Sequence, residues 1–185
     1  MNAEIDITGK TLETQRLIIR PWEYSDLYDF YEYASVEGVG QMAGWEPHES
    51  KEKSNLILED FIKGKKTFAI ALKENNKVIG SIGIETYDRR KFYDSFDEKK
   101  GRELGYVLSK PYWGLGLMPE AVMRVISYCF DELELDFLTV GHFKWNEQSK
   151  RVIEKCGFTF YCEGEFKTRK GTLEKDCSYV LFRSA

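Results

Sequence analysis

Apolar and polar positions alternate in two distinct rhythms along the chain, and the switches between them mark out its elements. Leu12 to Arg20 reads Leu-Glu-Thr-Gln-Arg-Leu-Ile-Ile-Arg, a β-branched apolar stretch that Pro21 brings to an end, so a first strand is predicted there. Ser25-Asp26 then caps a helix whose apolar positions Leu27, Phe30, Tyr31 and Ala34 recur at helical spacing, with Gly38 and Gly40 closing it. A second helix opens at Ser50 or Lys51, turns Leu56, Ile57, Phe61 and Ile62 to one side and ends at Gly64. Thr67 to Leu72 and Lys77 to Tyr87 are β-rich and flank Glu74-Asn75-Asn76, the pattern of an antiparallel hairpin.

From Asp88 to Arg102 the chain is crowded with charge, broken only by Phe92, Tyr93 and Phe96, and is expected to form a long solvated extension between strands. A strand over Glu103 to Leu108 follows. It runs through a glycine-bearing loop into a helix from about Pro119 to Phe130, with Val122, Val125, Ile126 and Cys129 as its buried stripe. Phe137 to Val140 is a short strand, Asn146 caps a helix through Lys155, and Gly157 separates that helix from an aromatic strand over Phe158 to Tyr161. A last strand spans about Ser178 to Phe182. No repeat and no Pro- or Ser-rich linker interrupts this order, so residues 1–185 are expected to fold as a single α/β domain, one mixed sheet flanked by helices.

Composition narrows the function classes. The 185 residues suit one full-sized core, and apolar and charged fractions of 42% and 31% exclude disordered and low-complexity chains. With 27 basic and 31 acidic side chains the net charge is −4, which argues against nucleic acid as the main partner. No apolar run approaches the roughly 20 residues that cross a bilayer, and Met1-Asn2-Ala3-Glu4-Ile5-Asp6 lacks the blocks of a signal peptide, so a cytoplasmic protein with no membrane partner is expected. Cys129, Cys156, Cys162 and Cys177 form no CxxC pair, and His48 and His142 form no HxxxH or HExxH arrangement. Reduced thiols and no metal site are the expectation.

The segment richest in chemistry is Trp113-Gly114-Leu115-Gly116-Leu117-Met118-Pro119-Glu120. Its glycines leave peptide N–H groups uncovered just before a helix whose N-terminus is partly positive, an arrangement suited to a diphosphate. Pro119 replaces the third glycine of a dinucleotide-binding fingerprint and no Gly-Lys-Ser/Thr follows, so neither that motif nor a P-loop is present. A tight strand-to-helix turn would use the same two glycines, and the loop alone leaves both readings open.

Four ordered blocks resolve the choice by resemblance. They are Leu12 to Pro21 with Asp26 beyond, Ile79-Gly-Ser-Ile-Gly83, Glu103 to Gly116 with Glu120-Ala121, and Asn146-Glu-Gln-Ser149 continuing to Glu154-Lys-Cys-Gly-Phe158. Over almost its whole length the chain resembles the GNAT superfamily of acetyl-CoA-dependent N-acetyltransferases, particularly the branch that acetylates the N-termini of ribosomal proteins. The resemblance implies a mostly antiparallel mixed sheet splayed between the Glu103–Leu108 and Phe137–Val140 strands, with acetyl-CoA as co-substrate. It further implies that Tyr106, Val107 and Leu108 pair with the pantetheine arm, that Trp113, Gly114, Leu115, Gly116, Leu117 and Met118 wrap the diphosphate through main-chain N–H groups, and that Asn146 bonds the cofactor. Leu115 stands where relatives often carry a basic residue and Met118 where they carry a small one; Lys144, Lys150 or Arg151 would then meet the ribose phosphate.

Acetyl transfer without an enzyme nucleophile needs a neutral amine, a polarised thioester carbonyl and a proton for the departing sulfur. By the same resemblance the base is a strand carboxylate, Glu103 ahead of Glu85, and the carbonyl is polarised by the amide of Val107 or Leu108. The tyrosine that serves many relatives as acid is replaced by Ile153, and Ser149 becomes the stand-in. Tyr28, Tyr31, the loop Gly38 to Trp45 and the extension near Phe92 and Tyr93 would wall the acceptor's entrance. The acceptor is expected to be a primary amine: a protein N-terminal α-amine, or the amine of a polyamine, amino acid or aminoglycoside. A CoA-binding protein without turnover is the alternative outside enzymes, and a monomer or homodimer is expected.

Overall fold

The computed structural model describes residues 1–92, 96, 98–168 and 171–184. Eight strands form one sheet: β1 (Leu12–Glu13), β2 (Leu17–Pro21), β3 (Thr67–Leu72), β4 (Val78–Glu85), β5 (Gly101–Leu108), β6 (Phe137–Phe143), β7 (Thr159–Lys167) and β8 (Leu173–Phe182). Their spatial order is β1-β2-β3-β4-β5-β6-β8-β7, and every adjacent pair is antiparallel except β5 and β6. Helices α1 (Leu27–Ala34) and α2 (Lys51–Gly64) cover one face. Helices α3 (Leu117–Ser127) and α4 (Glu147–Lys155) cover the other.

The predicted elements are present, with changes that have local causes. The expected strand Leu12–Arg20 is a hairpin, because Thr14 Oγ1 accepts the Leu17 amide at 2.9 Å and turns the chain between β1 and β2. Ser50 caps α2 by accepting the Lys53 amide at 3.2 Å, and Asn146 caps α4 by accepting the Ser149 amide at 3.1 Å. Helix α3 begins at Leu117, two residues before the expected start, and runs on through a wide π turn over Tyr128–Glu132. The last two strands are longer than their apolar cores suggested, because the β7–β8 hairpin carries its pairing out to Lys167 and Leu173 beyond the body of the sheet.

The charged extension is solvated at Arg89, Arg90 and Glu98 to Lys100, as expected, but two of its aromatic residues are not. Phe92 and Phe96 are buried against Phe137 and Val180, and together with Tyr87 they form a small aromatic core of their own. Tyr93 lies outside the described residues. The extension also ends earlier than expected, since Gly101 and Arg102 already belong to β5.

Main-core packing sets the frame for the site. Leu104, Leu108, Met118, Val122 and Val125 fill the space beneath α3 and α4, while Trp22, Phe30, Leu58 and Val107 fill the space beneath α1 and α2. Strand β5 therefore shows Tyr106 to one layer and Glu103, Gly105 and Val107 to the other, as its pleat requires. Parallel pairing between β5 and β6 covers only Gly101↔Phe137 to Leu104↔Val140. Beyond Leu104 the two strands part, and the edge of β5 lies open.

Candidate active site

A cleft of about 330 Å³ occupies that opening, between the end of β5 and the N-termini of α3 and α4. Tyr106, Val107, Leu108, Trp113, Gly114, Gly116, Leu117, Met118, Asn146 and Ser149 line it, so ten of the thirteen residues singled out in the sequence meet in one place. Leu115 does not line it and leaves its side chain 55% exposed. Glu85 and Glu103 are also outside the lining.

The glycine loop has the form of an anion cradle. Gly114 and Gly116 have φ of 77° and 76°, left-handed conformations that a side chain would strain, and Gly116 forms the N-cap of α3. Among the described residues no acceptor meets the amides of Gly114, Leu115, Gly116, Leu117 or Met118, whereas the Trp113 amide donates to the Lys110 carbonyl at 3.2 Å. The expected cradle therefore loses Trp113 as an amide donor. Its indole instead donates to the Leu108 carbonyl at 2.7 Å and props the loop against the strand. Five free N–H groups at a helix N-terminus suit a diphosphate in number and in charge.

Backbone alternation decides what the open strand edge offers. Ser109 donates its amide to the Ile79 carbonyl at 2.7 Å, so alternate residues Val107 and Gly105 also turn their backbone groups toward β4. Tyr106 and Leu108 turn theirs into the gap. Of the two amides expected to polarise a carbonyl there, the one on Val107 is thus taken up by the β4 ladder and the one on Leu108 is available.

On the α4 side, Tyr106 Oη lies 3.0 Å from Ser149 Oγ and donates to the Ser149 carbonyl at 3.3 Å. Burial holds the Tyr106 phenol well above its ordinary pKa, so the ring stays protonated through neutral pH. Asn146 is buried, its Oδ1 committed to the helix cap and its Nδ2 donating to the Met42 carbonyl at 3.2 Å. Ile153 is 1% exposed and belongs to the core. Arg151 lines the cleft beside Lys155, while Lys144 pairs with Glu163 at 2.8 Å and Lys150 is outside the lining.

On the other face, Glu103 accepts from Thr139 Oγ1 at 3.4 Å, and desolvation pushes its carboxyl up to about 7, against the pull of Lys91. Arg102 does not pair with it; that guanidinium donates to the Ala3 carbonyl. Glu85, directly across the ladder from Glu103, is held in an ion pair with Lys66 and accepts from Thr67 Oγ1 at 3.4 Å. Between Glu103 and Val107 stands exposed Gly105, and beyond its own chain neighbours no atom of the described residues lies within 4 Å of where its side chain would begin, so the strand face there is open.

Residues 16–159 match the Acetyltransferase (GNAT) domain family. The chain belongs to the GNAT acetyltransferases and is an acyltransferase. It is 28% identical over 155 residues to the uncharacterized N-acetyltransferase p20 of Bacillus licheniformis, covering 80% of this chain and 82% of that one. A GNAT-family acetyltransferase structure from Bacillus anthracis superposes with a TM-score of 0.79 at 23% identity, over 94% and 98% of the two chains. The ribosomal-protein-S5-alanine acetyltransferase of Vibrio fischeri superposes with a TM-score of 0.71 at 21% identity, over 94% and 97%. GNAT acetyltransferases take acetyl-CoA as co-substrate, and the cleft's free amides and open strand edge fit that molecule's diphosphate and amide-bearing arm. Among the described residues no three His, Cys, Asp or Glu side chains converge as a metal site would need, and no helix is long and apolar enough to cross a membrane.

Sequence reasoning passed over three contributors. Tyr106 was assigned only a backbone role, although its hydroxyl sits on Ser149; a tyrosine on the same strand face as Leu104 and Leu108 was the available signal. Lys155 and Gln148 also line the cleft, and helical spacing from Ser149 and Arg151 places them there.

Proposed function

We propose that this chain transfers the acetyl group of acetyl-CoA directly to a primary amine, preferentially the α-amine at a protein N-terminus. The observation that carries the reading is the open edge of β5, with five free amides and a Tyr106–Ser149 hydroxyl pair on one side and Glu103 across Gly105 on the other. The diphosphate takes the amides of Gly114 to Met118, and the pantetheine arm pairs with the backbone of Tyr106. The Leu108 amide polarises the thioester carbonyl.

An amine entering over the open face at Gly105 attacks the carbonyl carbon, giving a proton to Glu103 through a water. The C–S bond breaks as the new C–N bond is completed, and the thiolate takes a proton from the Ser149–Tyr106 pair. A base near 7 suits an α-amine. At pH 7 an amine of pKa about 7.8 is roughly 14% neutral, whereas a lysine near 10.4 is only about 0.04% neutral. The likeness in fold to a ribosomal-protein-S5-alanine acetyltransferase supports a protein as acceptor.

The deciding experiment is an acceptor screen that follows release of free CoA thiol, comparing peptides with free and blocked N-termini against polyamines, amino acids and aminoglycosides. Turnover of free-terminus peptides is expected. Activity on small amines alone would overturn the acceptor assignment, and CoA binding without turnover of any amine would overturn the enzymatic one.

A further inference from the structure

Two of the sequence blocks have no part in the reading above: the Thr14-Gln15-Arg16 turn of the first hairpin, and Glu120 in the first turn of α3. The fold joins them. Thr14 Oγ1 donates to Glu120 Oε1 at 2.5 Å, the Arg16 amide donates to the same oxygen at 2.9 Å, and Arg16 Nε donates to Oε2 at 2.7 Å. Arg16 Nη1 then reaches the glycine loop itself and donates to the Leu115 carbonyl at 2.9 Å.

The consequence follows from the planar trans peptide, whose C=O and N–H point in opposite directions. A Leu115 carbonyl drawn to Arg16 turns the Gly116 N–H away from the hairpin. Gly116 lines the cleft, whereas Arg16, Leu115 and Glu120 do not. Left-handed φ at Gly114 and Gly116 makes this stretch of backbone one of the few that leaves the peptide plane between them free to swing, so an external hold is needed. Glu120 supplies that hold by fixing the guanidinium, and the hairpin supplies the rigid anchor behind it.

We infer that Arg16 and Glu120 form a clasp that sets the orientation of the Leu115–Gly116 peptide and so positions the diphosphate cradle without touching the ligand. The inference rests on the proposal that this loop holds the diphosphate of acetyl-CoA. Both are positioning residues, and their role makes a prediction opposite in sign to that of simple charge. Glu120 is an anion in the first turn of the helix that faces a polyanionic ligand; acting through charge alone, its removal would tighten binding.

The test is calorimetric titration with coenzyme A on the full-length wild type, Glu120→Gln, Arg16→Lys and Thr14→Val. Glu120→Gln should weaken binding about tenfold, since the carboxylate accepts three hydrogen bonds on two oxygens and the amide offers only one acceptor oxygen and no charge. Arg16→Lys keeps the charge but cannot reach Glu120 and Leu115 together, and should weaken binding by a similar factor. Thr14→Val should act in the same direction and less strongly. It removes a single hydroxyl and keeps the test valid if circular dichroism shows either charged-site variant to be unfolded. Tighter binding by Glu120→Gln, or unchanged affinity in folded variants whose melting temperature has dropped, would overturn the clasp while leaving the cradle in place. Failure of the wild type to bind coenzyme A would instead remove the cradle, and the clasp with it.

Discussion

Glu103 is half-buried between strands, and the desolvation of its carboxyl there moves it up to about 7. As the proposed base it must be ionised, so the rate should rise as pH climbs through about 7 and go on rising until the acceptor amine itself is neutral, at about pH 8. Glu103→Gln should leave only the amine's own limb and lower kcat/KM about 10²- to 10⁴-fold, as pH–rate profiles of the two proteins would show. Stability moves the other way. A carboxyl whose pKa rises on folding contributes stability that is fully present below its unfolded value, about 4.3, and is lost as pH climbs through the folded one. Urea melts at pH 8 should therefore find Glu103→Gln about 1–3 kcal/mol more stable than wild type, with the gap closing near pH 4. Ser149→Ala and Tyr106→Phe should each lower kcat about 10- to 100-fold. Because the two hydroxyls lie 3.0 Å apart, the double variant should be little worse than the poorer single one. At this scale the cleft-lining positions Tyr106 and Ser149 were legible as residues of a strand and of the first turn of a capped helix. The engagement of Glu85 with Lys66 was not, since it depends on a neighbour 19 residues away brought in by folding, and the bond of the Trp113 amide to Lys110 depends on a 3-10 turn that the residue types did not announce.

Among the elements, β2 and α1 are tied by a contact whose two halves are six residues apart. Arg20 Nη1 and Nη2 donate to Asp26 Oδ2 and Oδ1, both at 2.8 Å, with side chains only 12% and 7% exposed, and Asp26 also accepts the Glu23 amide at 2.8 Å. Arg20→Met would strand that carboxylate in the interior and should cost about 3–5 kcal/mol in urea denaturation. Arg20→Met with Asp26→Asn should recover part of the loss. Pro21 ends β2 as its missing N–H demands, and caps at Ser50 and Asn146 begin their helices where the residue types said they would. The turn between β1 and β2 departed from expectation through a local Thr14–Leu17 contact, whereas the charged extension did so through distant partners. The charged extension reads as solvated in one dimension, and it is pinned down because Phe92 and Phe96 find Phe137 and Tyr161 on strands more than forty residues away.

For the whole molecule, a net charge of −4 on 185 residues gives a mildly negative long-range field. A basic peptide acceptor should show a KM that rises steadily from low to physiological ionic strength, while a neutral amine acceptor of the same pKa should show little change. Steady-state kinetics across a salt series checks this. Equal salt dependence for both acceptors would mean that long-range charge plays no part in acceptor choice.

Local chemistry determined this chain's punctuation: proline where a strand stops, Ser and Asn where helices start, and glycines where a loop uncovers its amides. Those properties belong to single residues and near neighbours, so they survive in a one-dimensional reading. The active site needed more. Strands β5 and β6 part after Leu104, while β6 stays paired with β8 along its whole length, and no residue of β5 announces it. That separation frees the Leu108 amide and leaves Tyr106 facing Ser149. The hold of Arg16 and Glu120 on the glycine loop likewise spans 104 residues of chain. Contacts at that range are chosen by how whole layers pack, and only the folded sheet decides them.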